Sequence, residues 1–272
     1  MPARLTVVGS INLDLVARTE RLPRPGETVT GATFSQIPGG KGANQAVGAA
    51  RLGAEVTMIG CVGGDGLAER ALQGLNDAGV AAGWHERDVA TGIALIVVDA
   101  DGENTIVVAP GANGEVRPDD VDLPEGAAAL CQLEIPLEVV EHVARTAPAG
   151  FFLNAAPAPS RPVPKADLTI VNRYELEALT DREGLIALTL GAEGAVLLED
   201  GVEVARAAPP PVEAVDGTAA GDAFTACLVV SLLEGRDRAE ALRRACAAGA
   251  LAASRFGAQT SLPTAAEVDA LL

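Results

Sequence analysis

One carboxylate at a helix start is where this chain could do chemistry. The segment Asp216-Gly217-Thr218-Ala219-Ala220-Gly221-Asp222-Ala223-Phe224 places small residues ahead of a long apolar run. Small residues there leave the first helical N–H groups uncovered, and such groups can face an anion directly. Ala219, Ala220 and Gly221 would form the anion hole, with Asp222 one step inside it. A carboxylate so placed can take a proton from an attacking hydroxyl while backbone amides hold a transferred phosphoryl group. That group's non-bridging oxygens gather charge in the transition state. The same aspartate could equally do no more than complement the helix dipole, and local sequence leaves both readings open.

A second segment, Gly39-Gly40-Lys41-Gly42-Ala43-Asn44-Gln45-Ala46, runs from a glycine pair into an Ala-rich stretch. It is no Walker loop, because Ser35 stands where the first glycine belongs and Gly42 replaces the Ser or Thr after the lysine. Gln45 in the third glycine position argues against a dinucleotide fingerprint. What remains is a turn that lets a ligand approach backbone, with Lys41 and Asn44 as polar contacts, or a purely structural turn.

These segments need a frame to hold them, and short β-branched runs alternating with Ala-rich stretches supply one. The pattern predicts strands at Leu5–Gly9, Val56–Gly60, Ala128–Leu133, Gly150–Leu153, Leu168–Val171, Leu185–Leu190, Ala195–Glu199 and Val202–Arg206. Helices are expected at Gly42–Leu52, Leu67–Ala78, Leu137–Thr146, Ala219–Leu233, Arg238–Ser254 and Ala265–Leu272. Parallel strands joined by crossover helices make a doubly wound α/β sheet. Two stretches break the rhythm, about 14–37 and 91–108, and the second reads as a hairpin around Asp101-Gly102. They are read either as one small β-sheet lid over a pocket at the strand C-termini or as two unrelated hairpins.

Composition narrows the partners. At 272 residues and 49% apolar content the chain can bury a substantial core, and one domain over 1–272 is expected. A net charge of −17 repels nucleic acid and anionic membrane surfaces, so neither is expected as a partner. It also opposes a nucleotide unless cations and oriented N–H groups assist. Cys61, Cys131, Cys227 and Cys246 form no Cys-x-x-Cys pair and the N-terminus carries no apolar leader, which points to a cytoplasmic location. Only His85 and His142 are present, too few for a histidine metal cluster.

Taken together, GGKGANQA at Gly39–Ala46 and DGTAAGDAF at Asp216–Phe224 resemble the two motifs of the ribokinase family of carbohydrate kinases. The likeness runs from Val8-Gly9-Ser10-Ile11-Asn12-Leu13-Asp14 to Arg255-Phe256-Gly257-Ala258-Gln259, nearly the whole chain. GSINLD, PGETVTG and QLEIPLE also have family form. The resemblance implies an ATP-dependent phosphotransferase with ribose as the foremost acceptor. Asn12, Asp14, Gly40, Lys41, Asn44 and Glu134 would contact sugar hydroxyls and Asp222 would be the base. It implies further that Asn172 and Glu175, within Val171-Asn172-Arg173-Tyr174-Glu175, help place Mg²⁺ through water. Thr189, Gly191, Glu193 and Gly194 would meet the nucleotide. A monovalent cation, K⁺, would lie among Asp216, Thr218, Ala252, Arg255, Gly257 and Ser261. Relatives often pair through the lid, so a homodimer is expected.

Three departures stand out. Gly217 replaces the Thr common after the first aspartate of the late motif, and Cys246 stands where relatives often carry a more polar residue near adenine. Only thirteen residues, Leu176 to Leu188, separate the Asn-x-x-Glu element from Thr189-Leu190-Gly191. That is room for one short crossover, not two helices. The competing readings are a nucleoside kinase or fructokinase-like enzyme with the same machinery, and a non-catalytic sugar-binding protein. Glu134, Asn12 and Asp14 disfavour a sugar acid.

Overall fold

The computed structural model describes residues 2–272. A nine-stranded sheet runs, edge to edge, Val202–Ala207, Ala195–Glu199, Leu185–Thr189, Leu168–Val171, Phe151–Asn154, Ala128–Cys131, Arg4–Val8, Glu55–Ile59 and Ala81–Ala82. The strands from Leu185–Thr189 onward pair in parallel and the first two are antiparallel additions. Strand side chains alternate between two cores: Leu5 and Val7 face one, Val8 the other. Being covered on both faces, such strands are mostly apolar.

Helices α1 (Lys41–Arg51), α2 (Ala68–Asp77) and α3 (Leu137–Thr146) are followed by the single-turn α4 (Arg173–Ala178). Then come α5 (Ala220–Leu233), α6 (Arg238–Ala253) and the short α7 (Ala265–Asp269). Helices α1, α2, α5 and α6 pack on one sheet face, and α3 packs on the other with Leu176 and Leu179 beside it. Helix α5 is buried without interruption from Asp222 to Ser231, as a helix apolar on all sides must be. Small residues let α1 lie against it, since a Cβ on Gly48 would come within 3.0 Å of the Ala226 Cβ. The two helix N-termini therefore open side by side.

The interrupting segments pair into one four-stranded sheet ordered Thr33–Gly39, Asn12–Arg18, Gly92–Val98, Asn104–Ala109. Its central pair is parallel and its outer pairs antiparallel. The turn between the last two strands is tied by the Asp99 carboxylate, which accepts from the N–H groups of Asp101 and Glu103. A two-stranded ribbon, Cys61–Gly63 with His85–Arg87, has no counterpart in the sequence pattern, because three-residue strands leave no readable alternation. The shortened flank is as the spacing predicts: after α4, coil from 179 to 184 leads straight to the next strand. Among the described residues no helix is long and apolar enough to cross a membrane.

Candidate active site

Most polar groups of the site follow the C-terminal end of a main-sheet strand or open a helix, where a doubly wound sheet presents its crevice, and the small sheet adds Asp14. Asp222 lies in the first turn of α5 and is 6% exposed. Its Oδ2 accepts from Asn44 Nδ2 and its Oδ1 from Gln45 Nε2, both at 2.9 Å, so α1 supplies two donors to the base of α5. Gln45 Nε2 also reaches Asn154 Oδ1 at 2.9 Å, and Gln132 Nε2 donates to Gln45 Oε1 at 2.6 Å. Burial pushes the Asp222 carboxyl up, while Lys41 and the two amides pull it down, and burial wins.

The backbone around Asp222 has the form of an anion cradle. Ala219 is left-handed, φ 59°, and its carbonyl takes the first α-helical bond, from Ala223 N. The N–H groups of Gly221 and Asp222 are consequently left without protein partners. Of the three residues expected in the hole, Ala220 is partly engaged, since its N–H donates to Gly217 O at 3.2 Å. A non-glycine residue held left-handed costs on the order of 1 kcal/mol, a strain typical of ligand sites.

The expected acceptor residues lie around this carboxylate. Asp14 is 9% exposed and has a carboxyl raised to about 7 by burial, with Glu134 and Asp222 adding to the rise. Glu134 Oε2 accepts from Ser10 Oγ at 2.5 Å and from Lys41 N at 3.0 Å. The Lys41 ammonium makes no ion pair within 4 Å among the described residues. Burial depresses it, but Asp222, Glu134 and Glu175 outweigh that and hold it above the ordinary lysine value. Gly40, at φ 88°, lies so close to Asn12 that an added Cβ would stand 2.9 Å from its N. A Cβ on Gly39 would collide with the Asp14 carboxylate itself. Gly39 has no positive φ, so the effect of Gly39→Ala isolates that contact. Sugar KM should rise by roughly 100-fold with little change in melting temperature, and an unchanged KM would separate Asp14 from acceptor binding.

Two clefts meet at Gly217. One, of about 290 Å³, runs from Asp14 between the four-stranded sheet (Val16, Ile96, Ile106) and the late loops (Thr218, Phe256). At its outer end the Arg18 guanidinium lies 4.1 Å over the Phe256 ring. The other, of about 560 Å³, is walled by Pro209–Pro211, Val212, Ala250 and Cys246, and reaches Ala220 and Gly221. Thr189, Gly191 and Gly194 line it as expected; Glu193 does not. The Glu193 side chain turns outward to Arg173, at 2.6 Å, because a 3₁₀ turn points it to solvent, and Ala192 lines the wall instead. Nothing lies within 4 Å of a Cβ on Gly217, so the threonine of relatives would fit there.

Asn172 and Glu175 are first of all a capping box. Asn172 Oδ1 accepts from Glu175 N at 2.9 Å, and Glu175 Oε2 from Asn172 N at 2.7 Å. That leaves Glu175 Oε1 without a protein partner; burial raises this carboxyl despite the Asn172 bond and the Lys41 charge.

At the expected cation position, the carbonyls of Asp216, Thr218, Arg255 and Gly257 accept no hydrogen bond among the described residues. Two of the six residues fit less well. Ala252 O already accepts from Arg255 N, and Ser261 Oγ donates to Ala258 O at 2.7 Å because its turn buries it. Both Asp216 carboxylate oxygens are occupied, by Thr218 and by Gly257 N. Burial opposes Asp216 ionisation, but these bonds hold its carboxyl below the ordinary value.

Sequence reasoning misses Asn113, Gln132 and Asn154, and sees Gln45 only as a glycine that is not there. The side chains they bond in the site lie 87 to 177 residues away, beyond any local pattern.

The model of pfkB family carbohydrate kinases matches residues 2–265. The chain belongs to the pfkB family. Its members' chemistry makes it a phosphotransferase with an alcohol acceptor. The chain is similar to the ribokinase of Bacillus subtilis, 39% identical over 98% of this chain and 99% of that protein. Among solved pfkB-family structures it resembles the ribokinase of Thermotoga maritima, with TM-score 0.90, 30% identity and 99% of both chains covered. It also resembles Arabidopsis thaliana ribokinase complexed with ribose and ATP, with TM-score 0.82, 29% identity, and 100% of this chain and 99% of that one covered. The ribokinase-like fold expected from the motifs is thus the fold observed.

Proposed function

We propose that this pfkB kinase is a ribokinase, transferring the γ-phosphoryl group of ATP to the 5-hydroxyl of D-ribose. The observation that carries the reading is Asp222: a buried carboxylate, held by two amides, beside the unpaired N–H groups of Gly221 and Asp222. Full-length likeness to ribokinases supports the choice of sugar.

In this reading ribose lies at the Asp14 end of the smaller cleft, and Asn12, Gly40, Lys41, Asn44 and Glu134, which do not line that cleft themselves, meet it from the inner side. Asp222 accepts the proton as the hydroxyl oxygen attacks phosphorus in line. The Gly221 and Asp222 amides donate to the non-bridging oxygens, with Ala219 fixing their direction. ATP occupies the larger cleft, whose apolar walls suit a base and whose inner end is the cradle. The free Glu175 oxygen suits the water shell of Mg²⁺, with the Asn172 cap holding that carboxylate in place. Four unpaired carbonyls, of Asp216, Thr218, Arg255 and Gly257, suit K⁺. Bound there, it would add positive charge beside the cradle.

The four-stranded sheet would serve as a lid. Its outer face carries Phe34, Leu95 and Val107, each more than 45% exposed, and a second copy would cover them. Four buried free cysteines suit a reducing cytoplasm.

ADP release across pentoses, hexoses and nucleosides, with and without K⁺, tests the whole. Ribose should give the highest kcat/KM and K⁺ should raise it. A nucleoside turned over faster than ribose would overturn the choice of acceptor. Sugar binding with no ADP release would favour a sensor.

A further inference from the structure

Asn12 lies two residues before Asp14, which lines the smaller cleft, and an amide can meet a sugar with either its oxygen or its nitrogen. Which one it offers decides what it can read. The answer lies in Asn113, in the single 3₁₀ turn Gly111–Glu115 that follows the last strand of the four-stranded sheet. Asn113 is 1% exposed.

Its orientation follows from the backbone alone. Ile11 N, which can only donate, lies 2.8 Å from one end of the Asn113 amide, so that end is Oδ1. The other end is therefore Nδ2, which donates to Ile11 O at 3.3 Å and to the Asn12 side chain at 2.6 Å. Asn12 must receive that bond with Oδ1. Its own Nδ2 then remains as a donor with no protein partner, and Asn12 is 4% exposed. The turn is fixed in its own right by Ala112 N to Ala90 O at 2.9 Å and Asn113 N to Pro110 O at 3.0 Å. Gly92 is needed beside it, since a Cβ there would collide with both Asn113 Nδ2 and Asn12 Oδ1.

We infer that Asn113 is a positioning residue that fixes the Asn12 amide as a donor toward the acceptor. The inference rests on the acceptor reading of Asn12 given above. Asn12 and Asp14 point to the same face of one strand, two residues apart. Asn12 becomes a fixed donor, and Asp14, once ionised, an acceptor. The ligand class that matches is a polyol presenting a lone pair to Asn12 and a donating hydroxyl to Asp14. An acceptor lacking the oxygen at Asn12 strands a donor, which costs more than a lost contact.

The test is sugar binding by calorimetry, with KM and kcat measured alongside, using whichever sugar the wild type binds most tightly. Asn113→Asp keeps the bond from Ile11 N but offers an acceptor to Asn12, turning its amide over. Sugar Kd and KM should rise roughly 100-fold with ATP KM little changed, while the melting temperature falls because the new carboxylate is buried and faces Ile11 O. In the cycle of Asn12→Ala, Asn113→Ala and the double variant, the second substitution should add less than about threefold to Kd. Multiplying effects, or an unchanged Kd in Asn113→Asp, would overturn the inference. Should Asn113→Ala not fold, the Asn113→Asp result decides alone. Sugar that binds but is never phosphorylated sinks the kinase reading and leaves this test standing, whereas absence of any sugar binding sinks both.

Discussion

Asp222→Asn should lower kcat for ADP formation in the presence of sugar by roughly 1,000-fold, within the range of a lost general base. The fold should tolerate it well. The new Nδ2 would face a donor, but Asn44 Oδ1 is buried without a partner, so a half-turn of the Asn44 amide provides the missing acceptor. Removing a buried charge should also stabilise the protein, because burial disfavours the ionised form. The measurement is a coupled ADP assay beside a thermal melt. Near wild-type turnover in this variant would remove Asp222 from the mechanism, whereas lost turnover with sugar binding kept in calorimetry would support its role as base.

Asp14→Asn should produce an inactive protein that is more stable than its parent. The Asp14 carboxyl lies at about 7 in the folded chain against an ordinary 3.8, so the folded state binds its proton more tightly than the unfolded state does. Such a group favours folding at low pH. That contribution is complete below about pH 4, is lost progressively as pH rises toward 7, and is gone above it. At pH 8 the ionised carboxylate sits in an unfavourable place, and the amide should recover on the order of 4 kcal/mol. The melting temperature should rise by several degrees at pH 8 and hardly at all at pH 4. Sugar kcat/KM should fall at least 100-fold, since an amide cannot accept as an ionised carboxylate does. In the wild type, sugar binding should tighten as pH rises through about 7. A stability gain from Asp14→Asn that is no larger at pH 8 than at pH 4 would contradict the burial argument.

Much of the frame can be read in the sequence because its signals are local. Leu137–Thr146, Leu168–Val171 and Ala195–Glu199 have the expected boundaries, and most other elements differ by a residue or two. Asp222 can be found because a carboxylate after a run of small residues at a helix start is unusual chemistry in a short window. The hairpin turn of the small sheet is visible in Asp101-Gly102 for the same reason. What escapes are relations across distance. Gln45 sits inside a motif that is plain in the sequence, yet its value lies in an aspartate 177 residues later. Asn113 bonds a backbone 102 residues earlier and follows no periodic run. Asn-x-x-Glu is legible as a pattern, but its first effect, closing a helix start, needs backbone to be seen. Glu193 shares a motif with its glycine neighbours, although the rotation of one 3₁₀ turn decides which side chain faces the cleft.

Asn12 and Asp14 stand on the same short strand whose far end, Arg18, rests on Phe256 beside the late loops. On the proposed reading, the groups that would grip a sugar belong to the sheet that would cover it, since Asn12 and Asp14 share one seven-residue strand of that sheet. Grasping and enclosing are then a single mechanical event.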